Sequence, residues 1–234
     1  MRIDENFYIN DFSNIKKYSS PAKECQIFVT KSSESQNSYS SYLSSPKYLE
    51  LKSMVEKYDL TDNCVLKSDK LKYASDCRKK FISEYGTIKS GSMQELILNP
   101  LSPNLDMSLT DNINKMRKEC RNKDDYSKSL KSCMKERKIG NCTDIALVTA
   151  DDINEKQNKY DAKLLYTSIL NDDMISNHVA VLVKDKTEND EINENSVILD
   201  NWLGGVFKYN DWLKIVKHLY NSKTVSTYVA EPNK

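Results

Sequence analysis

The chain has 234 residues, of which 29% are charged and 38% hydrophobic, and its formal net charge is +1. A charge this close to neutral excludes a global basic field, so we expect neither nucleic acid nor an anionic membrane surface as a partner. No apolar run approaches the roughly 20 residues needed to cross a bilayer, so the sequence predicts no membrane span.

The first 45 residues are predicted to form an N-terminal segment with a linker. Residues 25–29 have the β-branched and aromatic composition of one short strand. Eight of the fifteen residues from 31 to 45 are serine, and aliphatic side chains are almost absent from this stretch. Such a composition cannot bury enough apolar surface to order itself, so we interpret residues 31–45 as a flexible linker.

Residues 46–137 are predicted to form a helical region. Apolar side chains recur at helical spacing from residue 48 to 58 and from 71 to 85. Two glycines and two prolines between residues 86 and 105 indicate a loop, and residues 112–138 form another charged helical stretch. We expect the lysine-rich faces to be solvated, with binding of an acidic partner as the alternative. The region serves either substrate recognition or structural support.

Two pairs of cysteines have the same separation, Cys64 with Cys77 and Cys120 with Cys133, and each pair lies near lysine-rich helical sequence. The chain begins with acidic residues and no apolar stretch, so we expect no secretory signal peptide and reduced thiols. A disulfide at each pair is the alternative. There is no CxxC motif, and two histidines do not fit a common zinc site, so the sequence predicts no metal and no cofactor.

Residues 138–234 are predicted to form a domain in which a short helix packs on strands. Residues 142–150 indicate the helix, and β-branched runs indicate the strands. These runs lie at residues 163–170, 178–183, 196–200 and 224–230. A further helix is expected at residues 211–221, with Asn210 as its N-cap. The fold class predicted for the chain is therefore α+β.

The strongest candidate for chemistry is Cys142, which follows Gly140 and Asn141 where a loop enters a helix. The exposed N–H groups and the positive end of a helix dipole stabilise a thiolate, which is the nucleophilic form of cysteine. The glycine allows a tight turn and close approach of a substrate. The backbone N–H of Cys142 is a candidate donor to a developing oxyanion.

His178 and Asp200 complete a candidate triad with Cys142. His178 begins one predicted strand and Asp200 ends the next. If these strands are antiparallel neighbours, the start of one lies beside the end of the other. The imidazole then takes the thiol proton, and the carboxylate fixes the orientation and tautomer of the imidazole.

Three segments, at residues 140–142, 177–183 and 197–204, together resemble the transglutaminase-like branch of papain-fold enzymes. The resemblance covers residues 138–231. It implies a papain-like core, made of a nucleophile helix packed on an antiparallel sheet, with a helical N-terminal extension. The chain departs from the usual pattern at Asn201, where proline is common.

The resemblance assigns Cys142 as the nucleophile, His178 as the base and Asp200 as the residue that orients the base. It implies a thioester with a carboxamide carbonyl. Deamidation or transamidation of a protein glutamine is the favoured reaction, and proteolysis is the alternative. A further alternative is a non-catalytic binding module that keeps the fold.

By the same resemblance, the expected context is a bacterial effector that modifies a host protein. We expect secretion without a classical signal peptide, into the host cytosol, with the bacterial cytoplasm as the alternative.

Asn141 and Gln94 are candidate side-chain donors to the oxyanion, and Trp202 is a candidate wall of the substrate cleft. His218 is expected to be a surface or packing residue.

Overall fold

A computed structural model describes residues 46–62, 68–90, 108–121, 125–156, 159–170, 175–222 and 224–232. All of them belong to one structural unit, Ser38–Lys234. The described chain has an α+β fold with six helices and a five-stranded antiparallel sheet, so the predicted fold class is confirmed. The predicted strand at 25–29 and the serine-rich linker at 31–45 lie outside the described residues.

Four helices occupy the region that was predicted to be helical: α1 Pro46–Tyr58, α2 Asp69–Tyr85, α3 Ser108–Arg121 and α4 Tyr126–Arg137. Gly86, with φ 64°, follows α2 as predicted. Helix α4 begins after Asp125, whose side chain accepts a hydrogen bond of 3.0 Å from the N–H of Lys128. This N-cap satisfies a backbone donor that the first turn of a helix otherwise leaves unpaired.

The C-terminal region contains helices α5 Cys142–Asn154 and α6 Tyr209–Leu219, together with all five strands. The strands are β1 Tyr160–Leu170, β2 Ile175–Asp185, β3 Val197–Asp200, β4 Gly205–Lys208 and β5 Thr224–Ala230. Their order in the sheet is β4-β3-β2-β1-β5. Every neighbouring pair is antiparallel, which is the arrangement expected for β2 and β3.

The helical region and the sheet share one hydrophobic core. Tyr85, Met116 and Leu130 of the helices are completely buried and belong to the same cluster as Leu165 and Ile198 of the sheet. Helix α5 packs on β1 and β2, and α2 packs on β3 and β4. Helices α1 and α2 contact the sheet directly, while α3 packs on α4, and α4 packs on α2 and on α5.

The β4 edge of the sheet is covered by the segment that follows α1. The N–H of Leu60 donates to the carbonyl of Val206 at 2.7 Å. The N–H of Val206 donates in turn to the Asp59 carboxylate at 2.8 Å. A Cβ atom at Gly205 would lie 2.7 Å from the same carboxylate, so the close approach requires glycine.

The predicted N-cap of α6 is wrong. The helix begins at Tyr209, and its N-cap is Lys208, which makes no side-chain capping hydrogen bond. Because Lys208 still pairs with Val197 in the sheet, β4 runs directly into the helix and Asn210 lies within the first turn. The predicted apolar face is confirmed, since its four residues are buried: Trp212, Ile215, Val216 and Leu219.

No described helix is long and apolar enough to cross a bilayer.

Candidate active site

The antiparallel pairing of β2 and β3 brings His178 and Asp200 together. In the register of these strands, Val181 lies opposite Leu199. His178, near the start of β2, therefore approaches Asp200 at the end of β3, and its Nε2 lies 2.7 Å from the Asp200 Oδ2. Both side chains are almost completely inaccessible to solvent, with 0% and 1% exposed. The predicted neighbourhood of these two residues is confirmed by the geometry.

Asp200 is held by hydrogen bonds to both of its oxygen atoms. Its Oδ1 accepts from the backbone N–H groups of Trp202 at 3.1 Å and Leu203 at 2.9 Å. Its Oδ2 accepts from the indole N–H of Trp212 at 2.8 Å in addition to His178. Burial raises the pKa of Asp200, but the charge and hydrogen bond of His178, with the other donors, outweigh it and lower the pKa. The carboxylate is therefore ionised, and His178 Nε2 is the donor.

A tight turn after β3 supplies the two backbone donors. The N–H of Gly204 donates to the carbonyl of Asp200 at 2.8 Å. Gly204 has φ 93°, in the left-handed region where a side chain is disfavoured. The glycine therefore allows the chain to fold back on Asp200 while the carboxylate collects donors from inside the turn.

Cys142 occupies the first position of α5, as predicted, and is 6% exposed. Asn141 is the N-cap, and its side-chain oxygen accepts from the N–H groups of Thr143 at 3.1 Å and Asp144 at 3.2 Å. The Asp144 carboxylate accepts from the Asn141 N–H at 3.0 Å, which completes a capping box. This reciprocal pairing fixes the turn that carries the thiol.

The thiol of Cys142 lies within electrostatic reach of the imidazole. Burial lowers the pKa of His178, but the charge and hydrogen bond of Asp200, with a further contribution from Cys142, outweigh it and raise the pKa to about 10. Because Asp200 occupies Nε2, Nδ1 is the ring nitrogen left for the thiol. No described residue reaches Nδ1 in hydrogen-bond geometry. Hydrogen bonds between catalytic groups are in general often long or poorly aligned before a substrate binds.

Two tryptophans enclose the imidazole. The ring of Trp202 is 4.9 Å from that of His178 and tilted by 57°, and the ring of Trp212 is 6.1 Å away. Both indoles are at least 99% buried, so Trp202 packs against the base and excludes water from it. The indole N–H of Trp202 has no hydrogen-bond partner among the described residues.

The remaining sequence candidates are Gln94, Asn141 and His218, and of the two that the structure describes only Asn141 lies beside Cys142. Gln94 is outside the described residues. The side-chain oxygen of Asn141 caps α5, and its role as an oxyanion donor stays a prediction. His218 lies on α6 with its Nε2 3.6 Å from the carboxylate of Glu50 on α1, which agrees with a packing position.

Two supporting arrangements were not predicted. Arg117 of α3 binds the Asp144 carboxylate through two hydrogen bonds, of 2.8 and 2.9 Å. Arg78 of α2 is buried and donates to the side-chain oxygen of Asn201 at 3.1 Å, while the Asn201 amide donates to Thr149 at 2.8 Å. Asn201, the departure from the family pattern, thus links α2 to α5.

The sequence contains one signal for the first of these arrangements. Asp144 stands three residues after the capping residue Asn141, which is the spacing of a capping box. No comparable pattern marks Arg117 or Arg78. Each is one of many basic residues on charged helices, and only the folded chain shows which of them are buried.

Among the cysteine pairs, the structure describes Cys120 and Cys133 completely. Both are buried, reduced thiols, and their Sγ atoms are 3.3 Å apart across the α3–α4 pair. Cys77 is also a free thiol, with Lys156 Nζ at 3.7 Å from its Sγ, and burial raises its pKa. Cys64 lies outside the described residues.

Comparison of the chain with protein-family models, with curated proteins and with solved structures produced no match in any of the three cases.

Proposed function

We propose that the chain is a papain-like thiol enzyme that acts on protein carboxamides through Cys142, His178 and Asp200. The observation that supports this most strongly is the buried His178–Asp200 pair at 2.7 Å, with the thiol of Cys142 acting on the same imidazole. A nucleophile, a base and a group that orients the base are the three parts of such a site.

The charge state of the pair suits nucleophilic attack. With a pKa of about 10, His178 carries a proton at neutral pH, so its positive charge can stabilise negative charge that develops on the Cys142 sulfur during the reaction. Asp200 holds the imidazolium through Nε2, which leaves Nδ1 directed toward the chemistry. The two enclosing indoles keep water from competing for these hydrogen bonds.

The favoured substrate is the side-chain carboxamide of a protein glutamine. The Cys142 thiolate attacks the amide carbon, the C–N bond breaks as His178 donates its proton, and ammonia leaves a thioester. Water then attacks the thioester, His178 takes one of its protons, and a glutamate and the thiolate are released. A primary amine in place of water gives an amide and completes a transamidation.

Burial of the site supports glutamine over a peptide bond. The sulfur belongs to a residue that is 6% exposed, and His178 is fully buried. A slender side-chain carboxamide reaches such a thiol more easily than a main-chain amide, which must bring both flanking residues with it. The resemblance to the transglutaminase-like branch favours the same choice. By that resemblance we propose a secreted bacterial effector, with a host protein as its substrate.

The experiment compares the wild-type chain with Cys142→Ala in a eukaryotic cell lysate that contains a fluorescent primary amine. We expect specific glutamines to become glutamates or to acquire the amine only with the wild type, as read by peptide mass spectrometry. Cys77→Ala removes another buried thiol and is the matched control, which should retain activity.

New peptide termini that depend on Cys142 would show that the reaction is proteolysis and not glutamine modification. Equal peptide maps for the wild type and Cys142→Ala would overturn the enzymatic proposal in favour of a binding module. An equal loss of activity in Cys77→Ala would show that thiol substitution acts through stability and not through the nucleophile.

A further inference from the structure

Two buried charged side chains, His178 and Asp144, belong to the elements that hold the candidate nucleophile. His178 is a buried cation matched by Asp200 on β3. Asp144 is a carboxylate two residues after Cys142, with a side chain that is 3% exposed. A buried carboxylate beside a thiolate opposes the thiolate charge, because like charges in a low-dielectric site repel strongly.

Arg117 forms an ion pair with the carboxylate of Asp144. Its Nε and Nη2 lie 2.8 and 2.9 Å from the two oxygens of Asp144, so the contact is bidentate. The arginine side chain is 20% exposed, which places the pair away from most of the screening by water. A planar guanidinium holds a carboxylate in this geometry better than a lysine can.

The same pair reaches the backbone of the nucleophile turn. Asp144 Oδ2 accepts from Arg117 and from the Asn141 N–H at 3.0 Å. Asn141 in turn caps the first N–H groups of α5. A shift of Arg117 therefore moves the capping box, and with it the position of Cys142.

We propose that Arg117 is a positioning residue for Cys142, which fixes the first turn of α5 and neutralises the carboxylate that would otherwise oppose the thiolate. This inference rests on the proposed thiol chemistry and adds to it a residue from the helical region. Burial lowers the pKa of Arg117, but the charges of Asp144 and of Cys142, among others, outweigh it, which agrees with the proximity of the guanidinium to the thiol.

Several charged and titratable groups belong to the elements packed around Cys142. They include His178 on β2, Asp200 behind it on β3, Asp144 on α5 and Arg117 on α3. Tyr126, at the start of α4, contacts the pair electrostatically, and burial raises its pKa to about 12. It is neutral in the range where a thiol is alkylated, so it adds no charge to the pair that Arg117 forms with Asp144.

The test measures the rate at which iodoacetamide alkylates Cys142 as a function of pH. Intact mass and peptide mapping detect the modified cysteine. The test needs no substrate. We expect Arg117→Gln to raise the pH midpoint of Cys142 alkylation by about one unit, a tenfold loss of reactivity below the midpoint. Arg117→Lys keeps the charge without the bidentate contact, so its midpoint should fall between those of the wild type and Arg117→Gln.

A double variant separates charge from folding. Arg117→Gln with Asp144→Asn removes both charges, so the midpoint should return toward the wild-type value even if stability is lower. Arg137→Gln is the matched control, because Arg137 is a partly exposed arginine that pairs with Glu119 on the same helix pair. It should leave the midpoint unchanged.

The outcomes distinguish this inference from the proposed function. Selective alkylation of Cys142 in the wild type, with an unchanged midpoint in folded Arg117→Gln and Arg117→Lys, would overturn the role of Arg117 alone. Alkylation of wild-type Cys142 no faster than that of the other thiols would overturn the proposed nucleophile itself. A midpoint that stays raised in the double variant would show that Arg117 does not act by balancing Asp144.

Discussion

The two halves of the candidate site are supported in different ways. The base is held within the C-terminal region, where Asp200 collects donors from His178, from its own turn and from Trp212. The turn that carries Cys142 is contacted from outside that region, because Arg117 of α3 binds Asp144 of the capping box at the start of α5. Local segments can therefore form a triad motif, while the geometry of its nucleophile depends on the helical region.

The largest effect should come from the half that holds the base. Asp200→Asn leaves a buried imidazole without its charged partner, and loss of one member of a buried ion pair costs about 3–5 kcal/mol of unfolding free energy. We expect this loss in urea unfolding, together with loss of any Cys142-dependent activity. Asp190→Asn is the control, because that carboxylate is 53% exposed and pairs with Lys184. Equal stability losses in the two variants would contradict the assigned role of Asp200.

The titration of His178 should produce the next effect. Its pKa is raised from 6.5 to about 10, so the folded chain binds this proton more tightly than the unfolded chain does. The resulting stabilisation is complete below pH 6.5 and is lost as the pH rises through about 10. Unfolding free energy should therefore fall more steeply with pH in the wild type than in His178→Gln.

Proton NMR provides the direct measurement, since His178 and His218 are the two histidines of the chain. His218→Asn leaves one imidazole and assigns its signals. A His178 signal that titrates near the ordinary value of 6.5 would contradict the ion pair with Asp200.

Oxidation of Cys120 and Cys133, which lie in the helical region, should leave the titration of His178 unaffected. The Sγ atoms of Cys120 and Cys133 are 3.3 Å apart and must approach to about 2.05 Å to form a disulfide. Oxidised glutathione would take up the two hydrogens of the thiols and be reduced. A cross-link that closes a loop of this length should raise the free energy of unfolding by about 3 kcal/mol.

The measurement uses the Cys142→Ala background, so that the nucleophile itself is not oxidised. We expect a mass loss of two hydrogens and a higher urea midpoint, both reversed by dithiothreitol and absent in Cys133→Ser. The His178 titration should stay the same. A Cys133-dependent change in that titration would show that the two halves of the site are coupled more tightly than their contacts indicate.

The smallest effect distinguishes the two indoles. Trp212→Phe removes a donor from the buried Asp200 carboxylate, at a cost of about 1–3 kcal/mol in addition to the smaller ring. Trp202→Phe makes the same change of ring, but its N–H has no described partner. Unfolding free energies and acid unfolding curves should show the larger loss for Trp212→Phe. Equal losses would mean that the indole hydrogen bond contributes nothing measurable.

The predictable part of the site is the part encoded by short, adjacent segments. His178 and Asp200 lie on neighbouring strands whose β-branched runs identify them, so antiparallel pairing is enough to bring them together. The N-terminal position of Cys142 on α5 follows from the cap at Asn141. Arg117 could not be found in this way, because its basic helix resembles a solvated surface until α3 packs beside α5.

Errors and omissions elsewhere have similar physical causes. Asn210 is a good N-cap by residue type, but the pairing of Lys208 with Val197 extends the strand up to the helix. Trp212 lies on a predicted apolar face, and periodicity alone does not show that its N–H reaches Asp200. Arg78 is similarly hidden, because the partner Asn201 is far from it in the sequence.

The covered edge of the sheet limits how copies of the chain could associate. An exposed β edge can pair with a strand of another molecule, and two open edges permit endless extension. Asp59 and Leu60 occupy the edge of β4, while in the described chain no strand lies beyond β5. A strand of another molecule could not add beside β4, because Val206 already uses its N–H and carbonyl groups to bind Asp59 and Leu60. The fold thus disfavours growth of a continuous sheet through its β4 edge.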